Sequence, residues 1–280
     1  MNSTQHAPIF DGYNDMLLRL HGLPSEQAIA AFIDGRADGH LNLPRMQAGG
    51  FAGGLFAVFV PSAGGRRIKD SQPGTGAYDN QLPAPMSQTQ ALPDVLSMVS
   101  LLHRLAEVSS GQFRICHTAA DIRQAMADEA VAAVLHFEGA EAIDTDFRAM
   151  DVFVAAGLRS IGPVWSRPTA FGHGVPFRYP ASPNTGDGLT AAGQALVRYC
   201  NTHRLAIDLS HLNGKGFWDV ARLSNAPLIA SHSNAHAVCP HARNLTDDQL
   251  RAVRDSHGRA GSTSPCRFCV PTGAILWIRV

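Results

Sequence analysis

Short apolar runs alternate with helical patterns along most of the chain. Apolar residues recur at helical spacing between the runs, as they do over residues 92–108, 119–127 and 145–156. Thr190 and Thr246 stand at the predicted starts of two later helices, where we expect them to be N-caps. Six runs have the composition of buried strands, at residues 9–10, 49–60, 131–139, 158–166, 205–209 and 227–230. Six strand–helix units in series predict an α/β fold. We expect a (β/α)8 TIM-like barrel, with about six of its eight strands recognisable, rather than an open sheet.

Ligand-type side chains follow four of the predicted strands. Asp15, Glu138, His211 and His232 each come at or just after the end of an apolar run. In a barrel these ends line the face where catalysis occurs. Carboxylates and imidazoles together suit zinc or another borderline divalent ion, and a carboxylate can bridge two such ions. The alternative is that Glu138 caps a helix and the histidines bond to the backbone.

Composition narrows the range of partners. The 280 residues carry 23 acidic and 23 basic side chains, so nothing favours nucleic acid or an anionic membrane surface. No apolar stretch reaches the length of a membrane span, and the first residues lack the pattern of a signal peptide. Five cysteines at irregular spacing fit reduced thiols. We therefore expect a soluble, cytoplasmic protein.

Several motifs together resemble one family. They are D-G-Y-N-D, F-E-G-A, G-L-T-A-A-G, I-D-L-S-H, and S-H-S-N-A-H-A-V-C with the R-N that follows it. On these motifs the sequence resembles the renal or membrane dipeptidase family, peptidase family M19. Its members are zinc metallopeptidases of the amidohydrolase-like barrel class. The resemblance covers residues 8 to about 258 and implies a single barrel domain over residues 1–260.

The resemblance implies a role for each strand-end residue. Asp15 matches the aspartate that binds a first zinc, and Glu138 matches the glutamate that bridges two ions. His211 and His232 match the pair that binds the second zinc. Arg243 matches an arginine that contacts the substrate carboxylate, for which a guanidinium fork is well shaped.

Two positions depart from the family pattern. Tyr13 stands where the family has its first-zinc histidine, and tyrosine ligates a metal only as phenolate. Trp165 stands where the family has a substrate-side histidine, and its indole has one donor and no acceptor. His173 and His236, in nearby predicted loops, are candidate substitutes or surface histidines. The resemblance therefore implies zinc, with one or two ions in this chain.

The implied reaction is hydrolysis of a dipeptide, in which a metal-activated water attacks the peptide carbonyl. Alternatives are a single-metal amidohydrolase or lactonase on the same barrel, a non-catalytic peptide-binding relative, and an inactive truncated product. The expected partner is a small dipeptide, with no nucleic acid and no membrane. A homodimer stays open as the assembly.

The residues after Gly261 have no period and no resemblance to the family. One choice of codons for this tail, shifted by one nucleotide, yields V-N-F-A-V-S-F-L-R-P-D-G-R-N-I-V-D-T-R, and family members carry V-N-F on their seventh strand. We interpret residues 261–280 as an out-of-frame tail, and its Cys266 and Cys269 not as a metal or redox site. The barrel is then expected to be incomplete, and the chain unstable or insoluble and without peptidase activity even with zinc.

Overall fold

A computed structural model describes residues 7–35, 39–62, 76–80 and 82–262, and the backbone of Trp277–Ile278. The strands are β1 Ile9–Asn14, β2 Phe51–Phe59, β3 Tyr78–Asn80, β4 Phe113–Ile115, β5 Val131–Glu138, β6 Leu158–Gly162, β7 Phe177–Tyr179, β8 Ala206–Ile207, β9 Ile229–Ala230, β10 Arg259–Gly261 and β11 Trp277–Ile278. The helices are α1 Met16–His21, α2 Ser25–Ile33, α3 Leu43–Ala48, α4 Gln88–Val108, α5 Ala119–Ala127, α6 Arg148–Ala155, α7 Ala191–His203, α8 Gly214–Leu223 and α9 Asp247–Asp255.

One compact unit comprises Met1–Phe59, Thr89–Phe137 and Phe147–Ser160. Its strands follow the order β1-β2-β5-β6, and β4 pairs with the first residues of β5. The backbones of β2 and β5 approach closely because β2 contains glycine. A Cβ on Gly53 would lie 2.4 Å from the carbonyl oxygen of Ala132, so a side chain there would separate the strands.

The other compact unit comprises Val60–Gln88, Glu138–Asp146 and Ile161–Val280. Its main strands succeed one another through backbone hydrogen bonds. The Asp208 N–H donates to the carbonyl of Ile161, at the end of β6, and the Leu209 N–H donates to that of Ile229. The parallel pairing of β9 with β10 continues this series.

Two further pairings in this unit are antiparallel. The β10 strand pairs with β11 on its other edge. A separate two-stranded sheet joins β3 to β7, with Tyr78 opposite Tyr179 and the two rings stacked 6.1 Å apart. The Arg178 guanidinium and the Asp79 carboxylate form an ion pair across these strands. This small sheet carries part of the site described below.

The helices begin where the sequence supplies capping groups. The Thr190 and Thr246 hydroxyls accept the backbone N–H groups of Gly193 and Gln249 in the first turns of α7 and α9, as predicted from their positions. The Asn213 side chain caps α8 in the same way. Apolar side chains on these helices, such as Leu196 and Phe217, are buried.

The structure confirms the α/β class and the TIM-like alternation of strands and helices. It also corrects several bounds. The strand predicted at 158–166 ends at Gly162, and the helix predicted from residue 145 begins at Arg148, because Phe147 has a φ of 62° in the left-handed region. Sequence patterns missed β3, β4, β7 and β10, each of three residues. The prediction of one domain over residues 1–260 stays a prediction, and most of the proposed out-of-frame tail lies outside the described residues.

Candidate metal centre

Three of the predicted ligands converge in the unit that contains β8 and β9. Glu138 is the last residue of β5, and His211 and His232 follow β8 and β9. Their ligand atoms all lie within 4.8 Å of one another. Glu138 Oε1 is 2.9 Å from His211 Nε2 and 3.1 Å from His232 Nε2, and the two nitrogens are 3.0 Å apart. All three side chains are buried. Strand ends thus bring one carboxylate and two imidazoles to a single point.

Electrostatics favour the ligand forms of Glu138 and His211. Burial by itself would raise the pKa of Glu138, but the adjacent imidazoles of His211 and His232 outweigh it and hold that pKa well below its usual range. Burial, reinforced by the Arg243 guanidinium, lowers the pKa of His211 to about 3. At neutral pH the site therefore contains an ionised carboxylate and a neutral imidazole, which are the protonation states that metal binding requires.

The side chain of Arg243 reaches the edge of this group. One of its terminal nitrogens, Nη2, donates to His211 Nε2 at 2.8 Å and to the carbonyl of His232 at 3.2 Å. Since Nε2 of His211 accepts this bond, its Nδ1 carries the proton, and Ser166 Oγ lies 2.9 Å from that Nδ1. The guanidinium also lies over the ring of Phe177, at 5.7 Å. Arg243 therefore places a cationic donor beside the predicted ligands.

Aromatic rings cover one side of the group. The Trp165 and Phe177 rings lie 5.8 Å and 6.1 Å from the His211 ring and 5.7 Å from each other. His241 packs on Phe177, and burial together with Arg243 lowers the pKa of His241 to about 4. Sequence reasoning included Trp165 but missed Phe177 and His241. They belong to a predicted loop and to the segment before α9, where no period marks them.

A buried ion pair lies in the same unit and was also missed. The Arg167 guanidinium donates to Glu141 Oε1 from Nε at 3.0 Å and lies 2.8 Å from it at Nη2. It also donates to the hydroxyl of Ser62 and to the carbonyl of Val60. Gly139 permits this arrangement, because its φ is +99° and a Cβ there would lie 2.3 Å from Glu141 Oε2. No periodicity marks Arg167 as a core residue.

The N-terminal motif lies in the unit that contains β1 and β2. Tyr13 Oη donates to Asp15 Oδ1 at 2.6 Å, and the Tyr13 ring meets the buried His136 ring edge-on at 6.3 Å. The ligand group found among the described residues does not include Asp15 or Tyr13, so their roles as ligands stay predictions. His173 and His236 are not in that group either, and His236 Nε2 lies 3.0 Å from the carbonyl of Ala181.

Comparison with known proteins gives consistent matches. The sequence model of the membrane dipeptidase family, peptidase family M19, matches residues 2–263. An uncharacterised Acinetobacter calcoaceticus protein, from the PQQ-III 3′ region, is 42% identical over 257 residues, which are 92% of this chain and 80% of that protein.

Two solved structures are similar at 51% identity. One is a Rhodobacter sphaeroides metallopeptidase liganded with a phosphinate mimic of the dipeptide L-Ala-D-Ala. Its TM-score is 0.86, over 91% of this chain and 73% of that one. The other is a metallopeptidase of family M19, dipeptidase AC, with a TM-score of 0.84 over 91% and 72% of the two chains.

In the part of this chain that the structure describes, no helix is both long and apolar enough to span a bilayer.

Proposed function

This chain belongs to the membrane dipeptidase family, peptidase family M19, and from that premise we propose that it is a metal-dependent hydrolase of dipeptides. The observation that carries the proposal is the convergence of Glu138 Oε1 with Nε2 of His211 and of His232. These are family ligand positions, and they come together here with their polar atoms within 3.1 Å of one another. The liganded Rhodobacter relative supports a small dipeptide as the substrate class.

The donor set fits a divalent ion. Two imidazole nitrogens and one carboxylate oxygen are the protein ligands of several catalytic zinc sites, and the fourth position is then left to water or substrate. We propose zinc as the ion, held by Glu138, His211 and His232. The resemblance assigns Asp15 and the position of Tyr13 to a further ion. The phenolate that Tyr13 would have to supply makes that half of the site the weaker one.

When bound, such an ion lowers the pKa of water to about 7 and polarises a carbonyl oxygen. The protein supplies position and charge. Glu138 stays ionised, because its pKa is held low, and its carboxylate offers an acceptor for a proton of the attacking water. Arg243 offers a fork to the C-terminal carboxylate of the substrate, and its position beside His211 would limit substrates to short peptides. Trp165 and Phe177 exclude water from that side of the site.

The test is Glu138→Gln, compared with the unaltered 280-residue chain; an unaltered chain that is insoluble, or that binds zinc without hydrolysing dipeptides, would instead support the out-of-frame tail. The amide keeps the shape of the side chain but removes its charge, so we expect zinc content to fall and hydrolysis of L-Ala-D-Ala to be abolished. Arg243→Lys is the matched control. It keeps the positive charge and loses the fork, so it should raise KM while zinc content is retained. A Glu138→Gln protein that keeps its zinc and its turnover would contradict the proposal.

A single-metal amidohydrolase is the second candidate. It is favoured by one observation: Tyr13 stands where the family has its first-zinc histidine, and a tyrosine could ligate an ion there only as phenolate. Metal analysis separates the candidates. Two ions per chain support the dipeptidase with the bridged pair, one supports the single-metal enzyme, and none supports a peptide-binding relative.

A further inference from the structure

The Nδ1 atoms of the two predicted ligand histidines contact different serine hydroxyls. Nδ1 of His211 meets the hydroxyl of Ser166 at 2.9 Å, and Nδ1 of His232 meets the hydroxyl of Ser231 at 2.7 Å. The Ser231 hydroxyl also donates to Oδ2 of Asp208, so this serine links His232 to a carboxylate. The contacts described for Ser166 end at His211. Of the two imidazoles, only that of His232 is thus connected through a serine to a carboxylate in the described structure.

The direction of the hydrogen bonds in this chain of groups is fixed by Asp208. Its Oδ1 accepts the backbone N–H groups of Ser210 at 3.0 Å and Ser231 at 2.8 Å, which are the partners of an ionised carboxylate. Oδ2 can then only accept, so the single hydroxyl proton of Ser231 points to it. The oxygen of Ser231 is left as an acceptor toward His232, whose Nδ1 must donate. All four side chains are buried.

When Nδ1 is the ring nitrogen that carries the proton, the lone pair of the imidazole is on Nε2. That nitrogen faces Glu138 Oε1 at 3.1 Å, so two lone pairs converge on one point, as a cation requires. We infer that Asp208 and Ser231 are positioning residues that hold His232 in its metal-binding tautomer. The backbone is fixed as well, since the His232 N–H donates to Ser210 Oγ at 3.0 Å. This inference rests on the proposed metal site.

Asp208→Asn tests the direction of the hydrogen bonds that run from His232 through Ser231 to Asp208, which we call the relay. The Asn oxygen can keep both backbone N–H partners, while its NH2 group replaces Oδ2 and donates to the hydroxyl of Ser231. That hydroxyl is then free to donate to Nδ1 of His232, which moves the imidazole proton to Nε2 and removes the ligand lone pair. We expect the Kd for zinc, measured by competition with a chromophoric chelator, to rise about 10–100-fold.

Two further variants separate this effect from general damage. In Asp208→Asn/Ser231→Ala no hydroxyl is present to donate to Nδ1, so zinc affinity should recover toward that of Ser231→Ala alone. Ser166→Ala is the matched control at His211, and it should cost less affinity than Ser231→Ala because no carboxylate is described behind Ser166. The visible spectrum of bound Co2+ should change in Asp208→Asn and return in the double variant.

The outcomes divide cleanly. Wild-type affinity in Asp208→Asn, or a double variant weaker than Asp208→Asn, would overturn the relay. If Asp208→Asn does not fold, the comparison of the serine variants decides: a loss in Ser231→Ala no greater than in Ser166→Ala refutes it. A wild-type chain that binds zinc but cleaves no dipeptide would refute the proposed function and leave the relay standing.

Discussion

Replacing Arg167 by Met should destabilise the protein more than any exposed charge change. Arg167 is fully buried, and its guanidinium reaches Glu141 Oε1, the Ser62 hydroxyl and the Val60 carbonyl at 2.8–3.0 Å. Methionine follows the same path through the core but supplies no charge and no donor. The carboxylate of Glu141 would be left buried without its cation.

The size of the effect follows from this burial. Removing one partner of a buried ion pair costs about 3–5 kcal/mol, because the remaining charge is uncompensated, whereas an exposed pair contributes about 0–1 kcal/mol. Burial already raises the pKa of Glu141 against the opposing effect of Arg167, so its charged form depends on that partner. We expect a loss of about 3–5 kcal/mol in the free energy of unfolding, a large share of a typical 5–15 kcal/mol.

Urea unfolding followed by far-UV circular dichroism measures this loss. Arg251→Met is the control, since the Arg251–Asp248 pair lies on the surface, and it should cost under about 1 kcal/mol. Adding Glu141→Leu to Arg167→Met removes the unpaired charge, so the double variant should be more stable than Arg167→Met alone. If the two unfold at the same urea concentration, the charge on Glu141 is not the source of the loss.

Three further predictions concern the site and the tail. Tyr13→His should raise the number of zinc ions per chain and the rate of dipeptide turnover; if neither changes, Tyr13 does not limit the first metal site. The pKa of His241, lowered by burial and Arg243 to about 4, lies below the roughly 6.5 of an unfolded histidine. Stability should therefore fall as the pH drops from about 6.5 to about 4, and His241→Asn, measured by urea unfolding across that range, should flatten the fall; an unaltered slope would exclude His241 as its cause. Resequencing codons 255–280 should reveal a shifted frame near Gly261, and an unchanged frame with a soluble, active 280-residue product would refute the proposed tail.

The sequence was informative where a side chain follows a period or a motif. The ends of β5, β8 and β9 follow apolar runs, so Glu138, His211 and His232 could be named in advance. Thr190 and Thr246 could be named as caps because each directly precedes a helical pattern. The partners of those histidines could not, because Ser166, Ser231 and Asp208 are common residues whose roles depend on contacts across strands.

Sequence patterns did not reveal the short strands or the buried arginine, and the reasons differ. The β4 and β10 strands have three residues each, too few to show alternation. The β7 strand lies inside a polar segment and is stabilised by β3, about a hundred residues away, so local sequence does not reveal it. Arg167 lies in a segment that the sequence predicts to be a loop, and arginine is rarely fully buried, so only the structure shows Glu141 beside it.

The β3–β7 sheet carries a side chain that lines the site, whereas other strands carry the predicted metal ligands. Phe177, which faces His211, stands on β7, a strand outside the series that carries the predicted metal ligands. Its sheet has its own supports in the Tyr78–Tyr179 stack and the Arg178–Asp79 pair. Substitutions at Phe177 can therefore change the apolar surface beside His211 without altering the strands that precede Glu138, His211 and His232. A library of variants at Phe177 could therefore be screened for new substrates while the predicted metal ligands stay unchanged.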